Sequence, residues 1–251
     1  MRTVLEICCG SAYDAIEACN AGADRVELNC DMFHGGLTPS LGTLKVVRSE
    51  APQLKIMAMV RPREGGFCYS DTEFRTAVED AELFLKNGAD GIVFGFLNGD
   101  GSIDYNRTRL LAQMAAGMGK ESVFSRAIDV VPDWKSGLDA LIDIGITRVL
   151  TSGQHPTAFE GMDTIKSMIR HASGRIEILP GAGIRLNNMR AIIEHTGCTQ
   201  IHLSAHRSSF DHSAANDRSI HYGGCLYPDE VTYRAVDFQK VADIVEGLAQ
   251  L

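Results

Sequence analysis

Two acids and two arginines hold positions from which one ligand could be handled. Glu6 and Glu27 sit inside the short apolar runs VLEIC (4–8) and RVEL (25–28), Arg61 follows KIMAMV (55–60), and Arg126 lies in SVFSRA (122–127) with Asp129 three residues on. An unpaired buried ion is strongly disfavoured, so such groups either neutralise one another or wait for a ligand. Carboxylates can move protons and guanidinium groups can clamp anions, which makes Glu6, Glu27, Arg61, Arg126 and Asp129 the candidate catalytic set. A structural ion network is the competing reading of the same residues.

Small residues form a second set. Thr151-Ser152-Gly153-Gln154, Pro180-Gly181-Ala182-Gly183 and Ser204-Ala205 each follow an apolar run. A bound anion needs backbone N–H groups that approach it without Cβ interference, so Ser152, Gly153, Gly181, Gly183 and Ser204 are candidate anion-binding residues. Such glycines also make plain tight turns. Sulfur forms a third set: Cys8 and Cys30, with Met57 or Met59, carry the soft donors that suit Cu(I), although free cysteine and methionine also fill cores. The vicinal Cys8-Cys9 pair cannot place both thiols on one side of a strand. His202, His206, His212 and His221, with Cys225 nearby, match no standard ligand spacing and read as solvated or hydrogen-bonded. Cys68 is expected to be a surface or packing thiol, and no Walker loop, nucleophile elbow or HExxH motif occurs, so no nucleotide cofactor is expected.

The elements that must position these residues repeat a pattern: a helical segment, a glycine, then a short β-type run. It occurs in NAGADRVEL (20–28), KNGADGIVF (86–94), DIGITRVLTSG (143–153) and HTGCTQIHLS (195–204). Glycine suits the left-handed residue just past a helix, so each copy predicts a helix-to-strand joint. With VLEIC, KIMAMV, SVFSRA and RIEILP there are eight predicted strands. The segments between them carry helical stripes such as Phe74, Ala77, Val78, Ala81, Phe84 and Leu85, preceded by a Ser70/Glu73 capping box.

Strict alternation over 251 residues predicts one (β/α)₈ barrel, a TIM barrel, spanning residues 1–251 as a single domain. Strand parity then turns Glu6, Cys8, Glu27, Asn29, Met57, Met59, Arg61, Phe124, Arg126, His202 and Ser204 inward, and Val123 and Ser125 outward. Residues 205–234 fit no minimal unit and are expected to be a functional loop.

Composition narrows the partners. A formal charge of −8 argues against nucleic acid and favours a small molecule or a metal as partner, here the small anionic ligand or copper that the residues above could hold. No apolar run has the length of a membrane span or a signal segment. Seven cysteines without a CxxC pair point to a reducing, cytoplasmic setting.

Taken together, LEICCGS (5–11), AGADRVEL (21–28), GGLTPSLG (35–42), RPREGGFCYSD (61–71), SRAID (125–129), RVLTSGQ (148–154) and PGAGI (180–184) resemble the CutC copper homeostasis proteins in collinear order. The resemblance implies a TIM-type barrel, a cytoplasmic location, self-association as a dimer or tetramer, and copper handling with Cu(I) held by thiols near the first two strands, here Cys8 and Cys30. The pattern departs at three places. The family's FHRAFD carries Ser125 in place of its histidine, RPRGGDF gains Glu64 and loses its aspartate, and ELC reads Glu27-Leu28-Asn29-Cys30, which moves the second thiol by one residue. A small phosphorylated or carboxylated metabolite at the barrel mouth is the alternative ligand that the residues themselves suggest.

Overall fold

In the computed structural model, which describes residues 2–222 and 230–251, the four joint glycines all take positive φ, from +74° at Gly197 to +103° at Gly88. Each lets the chain leave a helix and enter a strand within a few residues. The elements in order are β1 (Val4–Cys9), α1 (Ala12–Asn20), β2 (Arg25–Leu28), α2 (Leu41–Glu50), β3 (Lys55–Met59), α3 (Asp71–Lys86), β4 (Gly91–Phe94), α4 (Tyr105–Gly117) and β5 (Glu121–Phe124). They continue with α5 (Trp134–Ile144), β6 (Arg148–Thr151), α6 (Met162–Ala172), β7 (Glu177–Pro180), α7 (Met189–Thr196), β8 (Gln200–Leu203), β9 (His206–Phe210), β10 (Thr232–Val236) and α8 (Phe238–Ala249). The Ser70 side chain accepts from the Glu73 N–H and the Glu73 carboxylate accepts from the Ser70 N–H, the predicted capping box at the start of α3.

The eight parallel strands run in the order β7-β6-β5-β4-β3-β2-β1-β8, and β7 and β8 come side by side to make a nearly closed TIM-type barrel. A side chain bridges that seam: Gln200 Nε2 donates to Glu177 Oε2 at 3.1 Å. Leu5, Ile7, Val26, Leu28, Ile56 and Ala58 pack outward against the helices in the main core, as parity predicts, while Met57, Met59, Val93 and Val123 form a separate cluster inside the barrel.

Two expectations need correction. Val123 belongs to the interior cluster and Phe124 to the outer one, which reverses the predicted parity of β5. Valine and phenylalanine are equally at home on either side, so the apolar pattern could not choose; pairing of Val123 with Val93 decides it. Ser125 consequently joins the wall of the axial cavity. The segment 205–234 is also not loop throughout: β9 and β10 pair antiparallel as a ribbon beyond the barrel. Cys225 lies outside the described residues. No helix among them is long and apolar enough to cross a membrane.

Candidate functional site

The interior is layered, and its lowest layer is ionic. Arg25 Nε donates to Glu6, Arg25 Nη2 donates to Gln200 Oε1 at 2.7 Å, and Arg148 meets Glu121 at 2.9 Å and Glu177 at 2.7 Å. These groups plug the N-terminal end of the barrel. Burial alone would raise the Glu6 carboxyl, but the Arg25 guanidinium and a bond from His202 outweigh it and hold it down at about 2. Glu6 is thus a fixed anion and has no proton to exchange near neutrality.

One layer above, register brings three different donors together. Glu6 pairs with His202 across β1 and β8, and Cys8 pairs with Glu27 across β1 and β2. Same-side residues on neighbouring strands must converge on the axis, and potential ligand atoms of Cys8, Glu27 and His202 all lie within 4.8 Å of one another. The Cys8 thiol is 3.5 Å from Glu27 Oε2, and Asn29 Nδ2 donates to that oxygen at 3.0 Å. Glu27 Oε1 is buried and accepts from nothing among the described residues. Met32 adds a second sulfur, its Sδ 4.0 Å from Cys8 Sγ. A Cβ on Gly10 would stand 2.7 Å from Met32 Cγ, so the glycine is what admits this side chain.

Electrostatics follow from burial. The Cys8 thiol is pushed well above its ordinary range by desolvation and by the Glu27 carboxylate. Desolvation likewise raises Glu27. His202 is raised despite burial, because Glu27 and Glu6 favour the imidazolium. Cys8, Glu27 and His202 are therefore all biased toward holding a proton in a small volume, a setting in which a cation can replace one.

This cluster forms the floor of a cavity of about 490 Å³ that opens at the C-terminal end of the barrel. Arg61, Arg126, Arg185, Gly183 and Ser204 stand on its wall. The Arg61 guanidinium donates to the carbonyls of His34, Gly36 and Gly65 and lies over the Phe67 ring, so it ties loops together as well as facing the cavity.

Several predicted residues sit elsewhere. Asp129 does not face the cavity: its carboxylate accepts from Arg126 Nε, the Thr151 hydroxyl, and the N–H groups of Ser152 and Gln154, and so locks the turn after β6. The Ser152 and Gly153 N–H groups already donate to Asp129 and Thr151 Oγ1, which leaves neither for an anion. Gly181 donates to the Thr151 carbonyl and gives His202 room, a Cβ there falling 3.3 Å from the imidazole Cδ2. Cys30 is outside the cluster, since its thiol donates to the Thr38 carbonyl at 3.0 Å in the bridge to Leu37. Its position one residue beyond Asn29 turns it away from the axis.

Sequence reasoning missed Arg25, Arg148, Gln200, Met32 and Arg185. The first two were detectable, since Arg25 opens β2 with the parity of Glu27 and Arg148 opens β6 in the same way. Met32 and Arg185 lie in irregular turns, where no periodicity reports direction.

A family model described as the CutC family matches residues 3–207. A CutC family protein of Treponema denticola is 52% identical over 244 residues, covering 97% of this chain and 98% of that protein. The human copper homeostasis protein cutC homolog is 38% identical over 238 residues, covering 95% of this chain and 86% of its own. A crystal structure of a CutC protein from Streptococcus agalactiae superposes with a TM-score of 0.75 at 32% identity, covering 80% of this chain and 98% of that one. With its barrel, its motifs and these relatives in agreement, the chain belongs to the CutC family.

Proposed function

We propose that this protein serves copper homeostasis by binding Cu(I) as cargo at the floor of the axial cavity, through Cys8 and His202 with Met32 beside them. The observation that carries the reading is the convergence of Cys8, Glu27 and His202 ligand atoms within 4.8 Å in the barrel interior. The donor set fits the ion. A thiol and a thioether are soft ligands, and imidazole suits copper as well. Glu27, raised by burial and 3.5 Å from the thiol, is placed to take the proton that Cys8 must lose when a metal binds. Cys30 is left out of the ligand set because its thiol is engaged by Thr38. Cys8, Cys9, Cys19, Cys30, Cys68 and Cys198 are free thiols, which supports a reducing, cytoplasmic setting.

Anaerobic titration with Cu(I) against a competing chelator tests the proposal. One ion should bind per chain, Cys8→Ser should weaken binding by about 100-fold or more, and Cys30→Ser should leave it within about twofold. Equal affinity in the parent and Cys8→Ser proteins would overturn it.

A further inference from the structure

At the top of the seam between β7 and β8, the backbone N–H groups of Ala182, Gly183, Ile184 and Ser204 donate to no acceptor among the described residues. The turn after β6 is built oppositely, with the N–H groups of Ser152, Gly153 and Gln154 all engaged. Ala182 and Gly183 both take left-handed backbone conformations, φ +77° and +70°, and alanine rarely does so unless its surroundings require it. Here the two residues present adjacent donors at the edge of the axial cavity, which Ala182, Gly183, Ile184 and Ser204 all line.

Charge points the same way. The chain carries 32 acidic against 24 basic side chains, yet the cavity wall holds three arginines and a histidine with Glu27 as its one carboxylate. Arg126 is neutralised by Asp129. Neither Arg61 nor Arg185 has a carboxylate partner among the described residues, and the Arg185 side chain makes no hydrogen bond there. Arg185 and Ser204 also border a second cavity, of about 730 Å³, whose lining includes both Lys240 and Asp243. On the axial side the arginines outnumber the single carboxylate, and positive potential faces the seam there.

We propose that this seam binds the phosphate group of a small phosphorylated molecule, with Arg185 and the amides of Ala182, Gly183 and Ser204 as its donors. Donors from two separate turns plus a guanidinium suit a tetrahedral dianion with several oxygens better than a planar carboxylate. The end of the barrel at strands seven and eight is where such a group commonly docks in this fold. The cavity is far larger than free phosphate needs and has the size of a small-molecule site, with Met59, Phe67 and Leu150 offering an apolar wall to the remainder of the ligand. This inference goes beyond Cu(I) binding and does not rest on it.

Amide chemical shifts of the metal-free full-length protein provide the test, with inorganic phosphate, glycerol phosphate and chloride at matched ionic strength as probes. Both phosphates should shift the Ala182, Gly183 and Ser204 amides saturably, glycerol phosphate more tightly, while those of Ser152 and Gly153 stay in place. Arg185→Ala, an exposed truncation that leaves the fold intact, should weaken binding by about tenfold. Shifts reproduced by chloride, unmoved seam amides, or full affinity in Arg185→Ala would each overturn the proposal. Glycerol phosphate binding no tighter than free phosphate would overturn its assignment to a phosphorylated molecule. Cys8→Ser should bind both phosphates unchanged, so failure here is separable from failure of the copper reading.

Discussion

His202 Nδ1 lies 2.7 Å from Glu6 Oε1, and that contact fixes the imidazole's role. Because Glu6 is held ionised at about 2, its oxygen accepts and Nδ1–H donates, which leaves Nε2 as the nitrogen free for the cluster. Metal-binding histidines are commonly oriented by a carboxylate in this way. The ionic floor and the soft-donor cluster are therefore one mechanical unit, with Arg25 steering Glu6 and Glu6 steering His202.

The Glu6 contact makes stability acid-sensitive. A carboxylate whose folded value is depressed from 4.5 to about 2 contributes stability that is present above the unfolded value and lost as pH falls between the two. The size is on the order of 3 kcal/mol, with Glu6 almost fully buried. Urea midpoints measured across that acid range should fall in the parent protein. Glu6→Gln should be destabilised by about 3–5 kcal/mol near neutrality, because Arg25 is left unpaired, and should lose this part of the acid slope. An unchanged slope in the variant would remove Glu6 from its assigned role.

His202 works on the opposite limb. Its folded value lies above the ordinary 6.5, so its contribution is complete below about pH 6.5 and disappears as pH rises through the folded value. His202→Asn should flatten the alkaline decline in stability. Binding of Cu(I) should show the reverse trend, since both the Cys8 thiol and the imidazolium must give up a proton. Affinity should rise roughly tenfold per pH unit for each proton displaced. Affinity independent of pH would mean that the imidazolium gives up no proton and that His202 is not a ligand.

Met32 offers a cleaner separation of ligation from folding. Met32→Leu nearly conserves volume in a half-buried site and should change stability by less than about 1.5 kcal/mol. It deletes the sulfur 4.0 Å from Cys8, and Cu(I) affinity should drop by about tenfold if that sulfur contributes. Competition titration beside a urea melt reads both quantities on the same sample.

The sequence was most informative where a periodic rule applied. Glycine joints marked the strands, and alternation placed Glu6, Cys8, Glu27 and His202 on one axis because strand side chains must alternate. It failed where the period stops or where both faces are apolar. Val123 and Phe124 could be exchanged without breaking the pattern, and only pairing with β4 chose between them. Asp129 was recognised as functional in character, but its five-residue turn carries no parity, so nothing foretold that it faces back into the turn after β6. Met32 and Arg185 escaped for the same reason. Cys30 entered the copper set as a soft donor expected beside Cys8 at the tops of adjacent strands, but it stands one residue beyond the family's thiol, and a one-residue shift exchanges one face for the other.

Two glycines outside any predicted joint hold the turn after β6 in place. Gly161 abuts this turn so closely that a Cβ on it would lie 1.9 Å from the Ser152 carbonyl oxygen, and one on Gly153 would lie 2.6 Å from the Gly161 carbonyl. The obstructing atoms are backbone, which cannot rotate aside. Gly161→Ala should therefore push the turn away from Asp129, costing about 2–4 kcal/mol and lowering Tm by roughly 5–10 °C. Gly117→Ala is the control, because its Cβ meets nothing within 4 Å at the end of α4 and alanine is the better helix former; stability should hold or rise by up to about 1 kcal/mol. The turn carries Arg126 through Asp129 and Ser152, so Gly161→Ala should also loosen the arginine on the cavity wall. Equal melting temperatures for the two variants would show that the β6 turn yields where the packing says it cannot.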